Sequence, residues 1–130
     1  MASTDIRDPR KVFIPDPRPE TVRRADDHFI RGMVCTSCGH ASAVKVPWCP
    51  RCQAATTEKL YGPTGKVWSS TVVRIPIPNR RPPYSLAYVD LDDGPRVLAH
   101  VSAPDGRLAV GQTVRLMEAT ASGDIQVTAS

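Results

Sequence analysis

The chain has 130 residues, which is enough for one ordinary domain and a small additional unit. Its 13 prolines and 8 glycines argue against a helical bundle and favour a protein built from strands and turns. No stretch approaches the ~18 consecutive apolar residues of a transmembrane helix, and residues 1–10 lack the apolar segment of an export signal. We therefore expect a soluble cytoplasmic protein that does not enter a membrane.

The net charge of +4 is spread thinly along the chain. Residues 1–31 carry 7 basic and 6 acidic side chains, residues 32–60 carry 3 and 1, and residues 61–130 carry 7 and 6. A protein that follows a phosphate backbone usually concentrates its basic groups on one face. The charge is therefore only weak evidence for a nucleic-acid partner.

The N-terminal segment, residues 1–32, begins with a polar and irregular stretch and then becomes helical in pattern. Asp16 is a suitable N-cap, and Pro17 and Pro19 fit a first helical turn. From about Pro17 to Arg31 the pattern is helical, and four apolar residues recur at helical spacing as it continues towards the ribbon: Val22, Ala25, Phe29 and Met33. The sequence predicts a short N-terminal helix.

All the cysteines of the chain lie in two C-x2-C pairs separated by ten residues: Cys35, Cys38, Cys49 and Cys52. Each pair offers two thiolates from one tight turn, and two such turns complete a tetrahedral metal site. Because thiolates fill every position, we expect the metal to be structural, in a rubredoxin-like ribbon over residues 33–58. Tetrahedral sulfur ligands suit zinc or iron, so the spacing alone does not choose between the two metals.

Residues 59–130 consist of short strand patterns separated by turn residues. The pattern predicts five strands and no substantial helix, and the turn Asp92-Asp93-Gly94 joins the second strand to the third. The predicted strands are Lys66–Ile75, Tyr84–Leu91, Arg96–Val101, Thr113–Ala119 and Ile125–Thr128. This arrangement favours a small closed barrel of the OB type, with an SH3-like barrel as the main structural alternative.

The loop from Ile75 to Tyr84 is the exposed segment best suited to binding. Its prolines pre-order the backbone, so that less conformational entropy is lost when a partner binds. Its apolar and guanidinium side chains suit a protein surface, a carboxylate or a phosphate. The candidate contact residues are Arg74, Ile77, Arg80, Arg81 and Tyr84.

The sequence contains no recognisable catalytic motif. None of the three histidines, His28, His40 and His100, has a nucleophile or a carboxylate at a motif spacing. His40 follows Cys38 by two residues, but four thiolates already complete the metal site. Asp90, Asp92 and Asp93 fit a solvated hairpin turn better than a metal cluster. We expect a protein that is not itself an enzyme.

Several stretches together resemble a family of zinc-ribbon plus OB-fold proteins associated with acyl-CoA metabolism. The resemblance covers about residues 29–120. It rests on both cysteine turns (the knuckles), the opening of the barrel, its central hairpin and the entry to the fourth strand. In order, these stretches are C-T-S-C-G, C-P-R-C, G-P-T-G-K-V-W-S-S-T-V-V, P-P-Y-S-L-A-Y-V-D-L-D-D-G and V-G-Q-T-V-R. Members of this family usually carry a longer helical segment before the ribbon.

The resemblance implies a non-catalytic accessory subunit with one structural Zn²⁺ per chain. Its partner would be a thiolase-like large subunit, with acyl-CoA at or near the interface between the two. The ten-residue insert and the resemblance favour zinc over iron. The alternative function is single-stranded nucleic-acid binding, since zinc ribbons and OB barrels also occur in that class. Only seven aromatic residues are present for base stacking, which makes this alternative weaker.

Overall fold

A computed structural model describes residues 18–78, 80–102 and 107–130. Within these ranges the chain forms nine strands and no helix. The described part of the chain therefore contains no membrane-spanning helix. The first sheet contains β1 (Glu20–Arg24), β2 (Asp27–Cys35), β3 (Ala41–Ser42) and β4 (Thr56–Tyr61). The remaining strands are β5 (Thr64–Val73), β6 (Tyr84–Leu91), β7 (Arg96–Val101), β8 (Thr113–Met117) and β9 (Gln126–Ala129).

The predicted N-terminal helix is wrong: from Glu20 to Cys35 the chain is a β-hairpin. Val22 lies opposite Phe29 in the antiparallel pair β1–β2, so two residues assigned to one helical face are cross-strand neighbours. The turn at Ala25 and Asp26 has a positive φ of 56° at Ala25. Cross-strand packing and ladder hydrogen bonds outweigh the weak helical preference here. The predicted cap, Asp16, lies outside the described residues.

β2 is the central strand of the first sheet. It pairs with β4 from Ile30 to Cys35 on one edge, and with β1 and then β3 on the other edge. The last residue of β2 is Cys35, so the sheet carries the first cysteine pair at its end. We call this sheet together with the loops that hold the cysteines the ribbon.

β5 to β9 form a closed barrel in the order β5-β6-β7-β9-β8, which confirms the predicted OB-type fold. All pairs are antiparallel except β7–β9, which is parallel. The second and third strands have the predicted bounds, and the other three differ from prediction by one or two residues at their ends. A β-bulge between Val67 and Ser69 shifts the register of β5 against β6.

The ribbon and the barrel share one hydrophobic core. Ile30 from β2 and Tyr61 from β4 belong to the same buried cluster as the inward side chains of the barrel. An ion pair between Asp27 and Arg115, 2.9 Å apart, adds a polar contact between β2 and β8. The two units are therefore packed against each other rather than joined only by a linker.

The ring of Tyr61 fills the space between two glycines at this junction. A Cβ at Gly32 would lie 3.0 Å from the ring, and a Cβ at Gly94 would lie 2.5 Å from it. The Tyr61 hydroxyl donates a hydrogen bond of 2.9 Å to the Met33 carbonyl, so its polar end is satisfied although the side chain is only 1% exposed. Tyr61 thus connects the ribbon to the β6–β7 turn of the barrel.

We predict that Gly94→Ala destabilises the protein because the added methyl group would overlap the Tyr61 ring. Overpacking of this kind costs about 1–3 kcal/mol of unfolding free energy, measurable as a lowered urea midpoint. In a Tyr61→Leu background the methyl group has room, so the same change should cost much less. An equal cost in both backgrounds would contradict the proposed contact.

Candidate functional site

The first cysteine turn is built as a metal knuckle. Cys35 ends β2, and its carbonyl accepts a hydrogen bond of 3.2 Å from the N–H of Gly39. Gly39 has φ +77°, as expected for the residue that follows the second cysteine of a knuckle. The Cys35 N–H donates to the carbonyl of His40 at 2.9 Å, so His40 supports the turn through its backbone.

The second turn repeats this geometry. The N–H of Gln53 donates to the carbonyl of Cys49 at 2.8 Å, and Gln53 has φ +66°. Gln53 therefore adopts the conformation that glycine provides in the first turn, at some cost in backbone strain. The Cys49 N–H donates to the Ala54 carbonyl at 2.8 Å, which ties the turn to the chain that leads into β4.

The two turns bring all four cysteines together. Their Sγ atoms lie within 4.8 Å of one another, with 3.4 Å between Cys35 and Cys52 and 3.7 Å between Cys38 and Cys49. A disulfide requires about 2.05 Å. A tetrahedral ion with metal–sulfur bonds of about 2.3 Å places its ligands about 3.8 Å apart. The arrangement therefore fits a metal ion and does not fit two disulfides.

The thiols of this cluster differ in acidity. The N–H groups of Cys38 and Ser37 donate to the Cys35 Sγ at 3.3 Å each and lower the pKa of Cys35 to about 6. The N–H of Ala54 favours the Cys52 thiolate, but the bond with Cys35 and burial outweigh it and raise the pKa of Cys52 to about 11. A cation that binds at this cluster would have to displace the protons of the thiols that are not ionised, so binding would release protons.

A cleft of about 330 Å³ lies on the outer side of the barrel. Three of the predicted contact residues, Ile77, Arg80 and Tyr84, line it. Arg74 and Arg81 do not line it and are exposed in the loop between β5 and β6. The loop between β5 and β6 therefore presents two sets of side chains, one towards the cleft and one towards solvent.

Asp124 organises the polar side of the cleft. Its carboxylate lies 3.3 Å from Arg80, 3.5 Å from Arg18 and 3.6 Å from His100. Burial and the Arg80 charge lower the pKa of His100, and Asp124 only partly offsets them. His100 Nδ1 lies 3.3 Å from an Arg80 nitrogen that can only donate, so Nδ1 accepts and the imidazole is held neutral.

The sequence did not reveal the rest of this surface. Leu86, Leu98 and His100 line the cleft from β6 and β7, and Asp124 reaches it from the segment before β9. Strand alternation left the orientation of His100 open, and it faces outward. Only the closed barrel brings these segments together, so no local pattern marks them as a site.

Comparison with known proteins agrees with this architecture. Residues 58–118 match the family model described as ChsH2, C-terminal OB-fold domain. The barrel is therefore similar to the ChsH2 C-terminal OB-fold domain. One chain of the solved Ltp2-ChsH2(DUF35) aldolase superposes with a TM-score of 0.61 and 25% sequence identity, over 78% of this chain and 84% of that chain. No curated protein sequence matches the chain significantly.

The match to a ChsH2-type barrel confirms the resemblance predicted from the sequence, and the cysteine cluster is consistent with its ribbon. The match begins at Glu58 in β4, so it includes Tyr61 as well as the first four barrel strands. The structural superposition extends beyond the barrel, because it covers 78% of the chain. The likeness therefore includes part of the N-terminal portion as well as the OB fold.

We predict that the chain binds one metal ion at the four thiols. Elemental analysis of protein purified without added metal should give about one equivalent per chain. Cys49→Ser should lower this content strongly, because Cys49 is fully buried and no other described side chain replaces it. Serine at position 37, an exposed neighbour, offers a control: Ser37→Ala should retain the metal. A metal content near zero in the wild type would contradict a metal site.

Proposed function

We propose that this protein is the accessory subunit of a thiolase-superfamily or aldolase enzyme that acts on acyl-CoA thioesters. The observation that carries the proposal is the match of residues 58–118 to the ChsH2 C-terminal OB-fold domain. The likeness to a chain of the Ltp2-ChsH2(DUF35) aldolase supports the proposal, because the name of that aldolase joins two proteins, Ltp2 and ChsH2. The large subunit supplies the chemistry in this proposal.

We further propose that the metal is a structural Zn²⁺. Zinc takes four thiolates in a tetrahedron and has no redox chemistry to disturb them. Its ligands Cys35 and Cys49 are buried, so the ion would link the end of β2 to the chain that enters β4. Those two strands carry Ile30 and Tyr61 into the shared core, and the ion therefore stabilises the junction with the barrel.

A role without catalysis fits the chemistry of the described side chains. The cysteines are committed to the metal, and His100 faces Arg80 and Asp124 rather than a hydroxyl or thiol nucleophile. In this proposal Arg74 and Arg81 meet the phosphates of CoA or acidic groups of the large subunit. Arg80 instead positions the loop, because its guanidinium group already contacts Asp124 and the Tyr84 ring.

The assembly is tested by co-expression with a candidate large subunit of the thiolase superfamily from the same genome, with an affinity tag on one subunit only. The two chains should elute together in size-exclusion chromatography, and the complex should turn over acyl-CoA where this chain alone does not. Mutation of the nucleophile of the large subunit should abolish that turnover. Turnover by this chain alone, or separate elution of the two chains, would contradict the proposal.

The contact with CoA gives a more specific prediction. Arg74→Ala combined with Arg81→Ala should raise the KM for acyl-CoA about tenfold, because hydrogen bonds to charged groups contribute about 1.5–3 kcal/mol. Assembly, folding and metal content should stay the same. Arg51→Ala is the matched control, since Arg51 is an exposed arginine in the second cysteine turn. An unchanged KM in the double variant would exclude these arginines as phosphate contacts.

A further inference from the structure

Two depressions that share lining residues form a groove on the outer face of the barrel over β5, β6 and β7. One end is the cleft at Ile77 and Tyr84, and the other end is a depression of about 250 Å³ beside Ser69 and Tyr88. Leu86 and Leu98 line both, so they connect the two depressions. We call this surface the outer apolar face.

The outer apolar face exposes large side chains that the core does not use. Trp68 is 49% exposed, Tyr88 43% and Leu98 49%. They come from three neighbouring strands: Tyr88 pairs with Leu98, and the bulge at Trp68 places that residue next to Tyr88. Contiguous exposed apolar surface of this kind marks an interaction site more often than a free surface.

Two contacts hold the aromatic end of the face in place. The Trp68 and Tyr88 rings meet edge to face with centroids 6.0 Å apart, and the Arg96 guanidinium stacks on Trp68 at 3.9 Å. Arg96 is itself fixed by Asp90, which accepts two hydrogen bonds of 2.6 and 3.2 Å. The side chains are therefore ordered before a partner arrives, which lowers the entropic cost of binding.

We propose that the outer apolar face docks an apolar segment of the large subunit. This inference rests on the proposed function and adds to it the surface through which the barrel recognises its partner. Tryptophan, tyrosine and arginine are the residues enriched at the energetic centres of protein interfaces. Trp68, Tyr88 and Arg96 bring all three types together beside the end of the groove that Tyr88 lines.

The charges at the two ends of the face favour a protein segment over a polyanion. Arg96 is paired with Asp90 at one end, and Arg80 is paired with Asp124 at the other. Asp90 thus offsets the Arg96 charge at the aromatic end, while at the other end Asp124 lies between Arg80 and Arg18. The aromatic end of the face therefore attracts phosphates weakly. Arg74 and Arg81 lie outside the face, so CoA and the large subunit would use different parts of the barrel.

The test compares the affinities of the wild-type chain and of the variant Leu98→Asp for the large subunit. Both affinities are measured with purified proteins by biolayer interferometry. We expect binding to weaken about tenfold or more, because a charge would be buried at the centre of the interface. Val110→Asp is the matched control: Val110 is 76% exposed and lies outside the groove, so this variant should bind as the wild type does. Circular dichroism and metal content verify that both variants fold.

A second measurement does not depend on a substitution in the face. The chain has two tryptophans, Trp48 and Trp68, so labelling with 5-fluorotryptophan gives two ¹⁹F signals. A Trp48→Phe sample assigns the Trp68 signal. Addition of the unlabelled large subunit should shift or broaden the signal of Trp68, because its half-exposed ring becomes covered.

The outcomes separate this inference from the function on which it rests. If the wild type binds the large subunit and Leu98→Asp binds equally well, the docking surface lies elsewhere and only this inference fails. If the wild type does not bind the large subunit, both fail. Binding of a fluorescent single-stranded oligonucleotide, or formation of a homodimer, that is lost in Leu98→Asp would assign the face to another partner and overturn the inference.

Discussion

The packing of Tyr61 between two glycines is the contact on which the arrangement of the two units depends. The ring leaves β4 of the ribbon and lies against Gly94 in the β6–β7 turn of the barrel, while Gly32 on β2 makes room on its other side. A Cβ at Gly94 would overlap the ring, whereas a Cβ at Gly32 would overlap the Ser42 carbonyl oxygen and also lie 3.0 Å from the ring. The ribbon therefore has one position relative to the barrel, and the groove on the barrel has one orientation relative to the cysteine cluster.

This junction connects the metal site to the rest of the molecule. The cysteines hold the end of β2 and the start of β4, and these strands pair from Ile30 to Cys35. If the thiols were released, the ladder would lose its tie at one end, while Tyr61 would remain packed at the other. We expect the ribbon to loosen from the cysteine end towards the barrel, because local stability follows the density of buried contacts.

The sequence predicted the parts of the structure that short-range chemistry determines. The knuckles follow from cysteine spacing and Gly39, and the β6–β7 hairpin follows from its Asp92-Asp93-Gly94 turn. The N-terminal hairpin was missed because Val22, Ala25, Phe29 and Met33 fit a helical period, while the decisive cross-strand pairing leaves no local signal. The role of Tyr61 and the cleft at Asp124 depend on residues far apart in sequence, so they become visible only once the barrel is closed.

The four thiols are not equally accessible, and this would determine how a bound metal ion leaves the site. Cys35 and Cys49 are buried, whereas Cys38 and Cys52 are exposed at the surface. A chelator or an oxidant therefore meets only the second cysteine of each pair and must detach the ion one ligand at a time from that side. Exchange of a bound ion would proceed through intermediates that retain the two inner sulfurs, so its release would be stepwise.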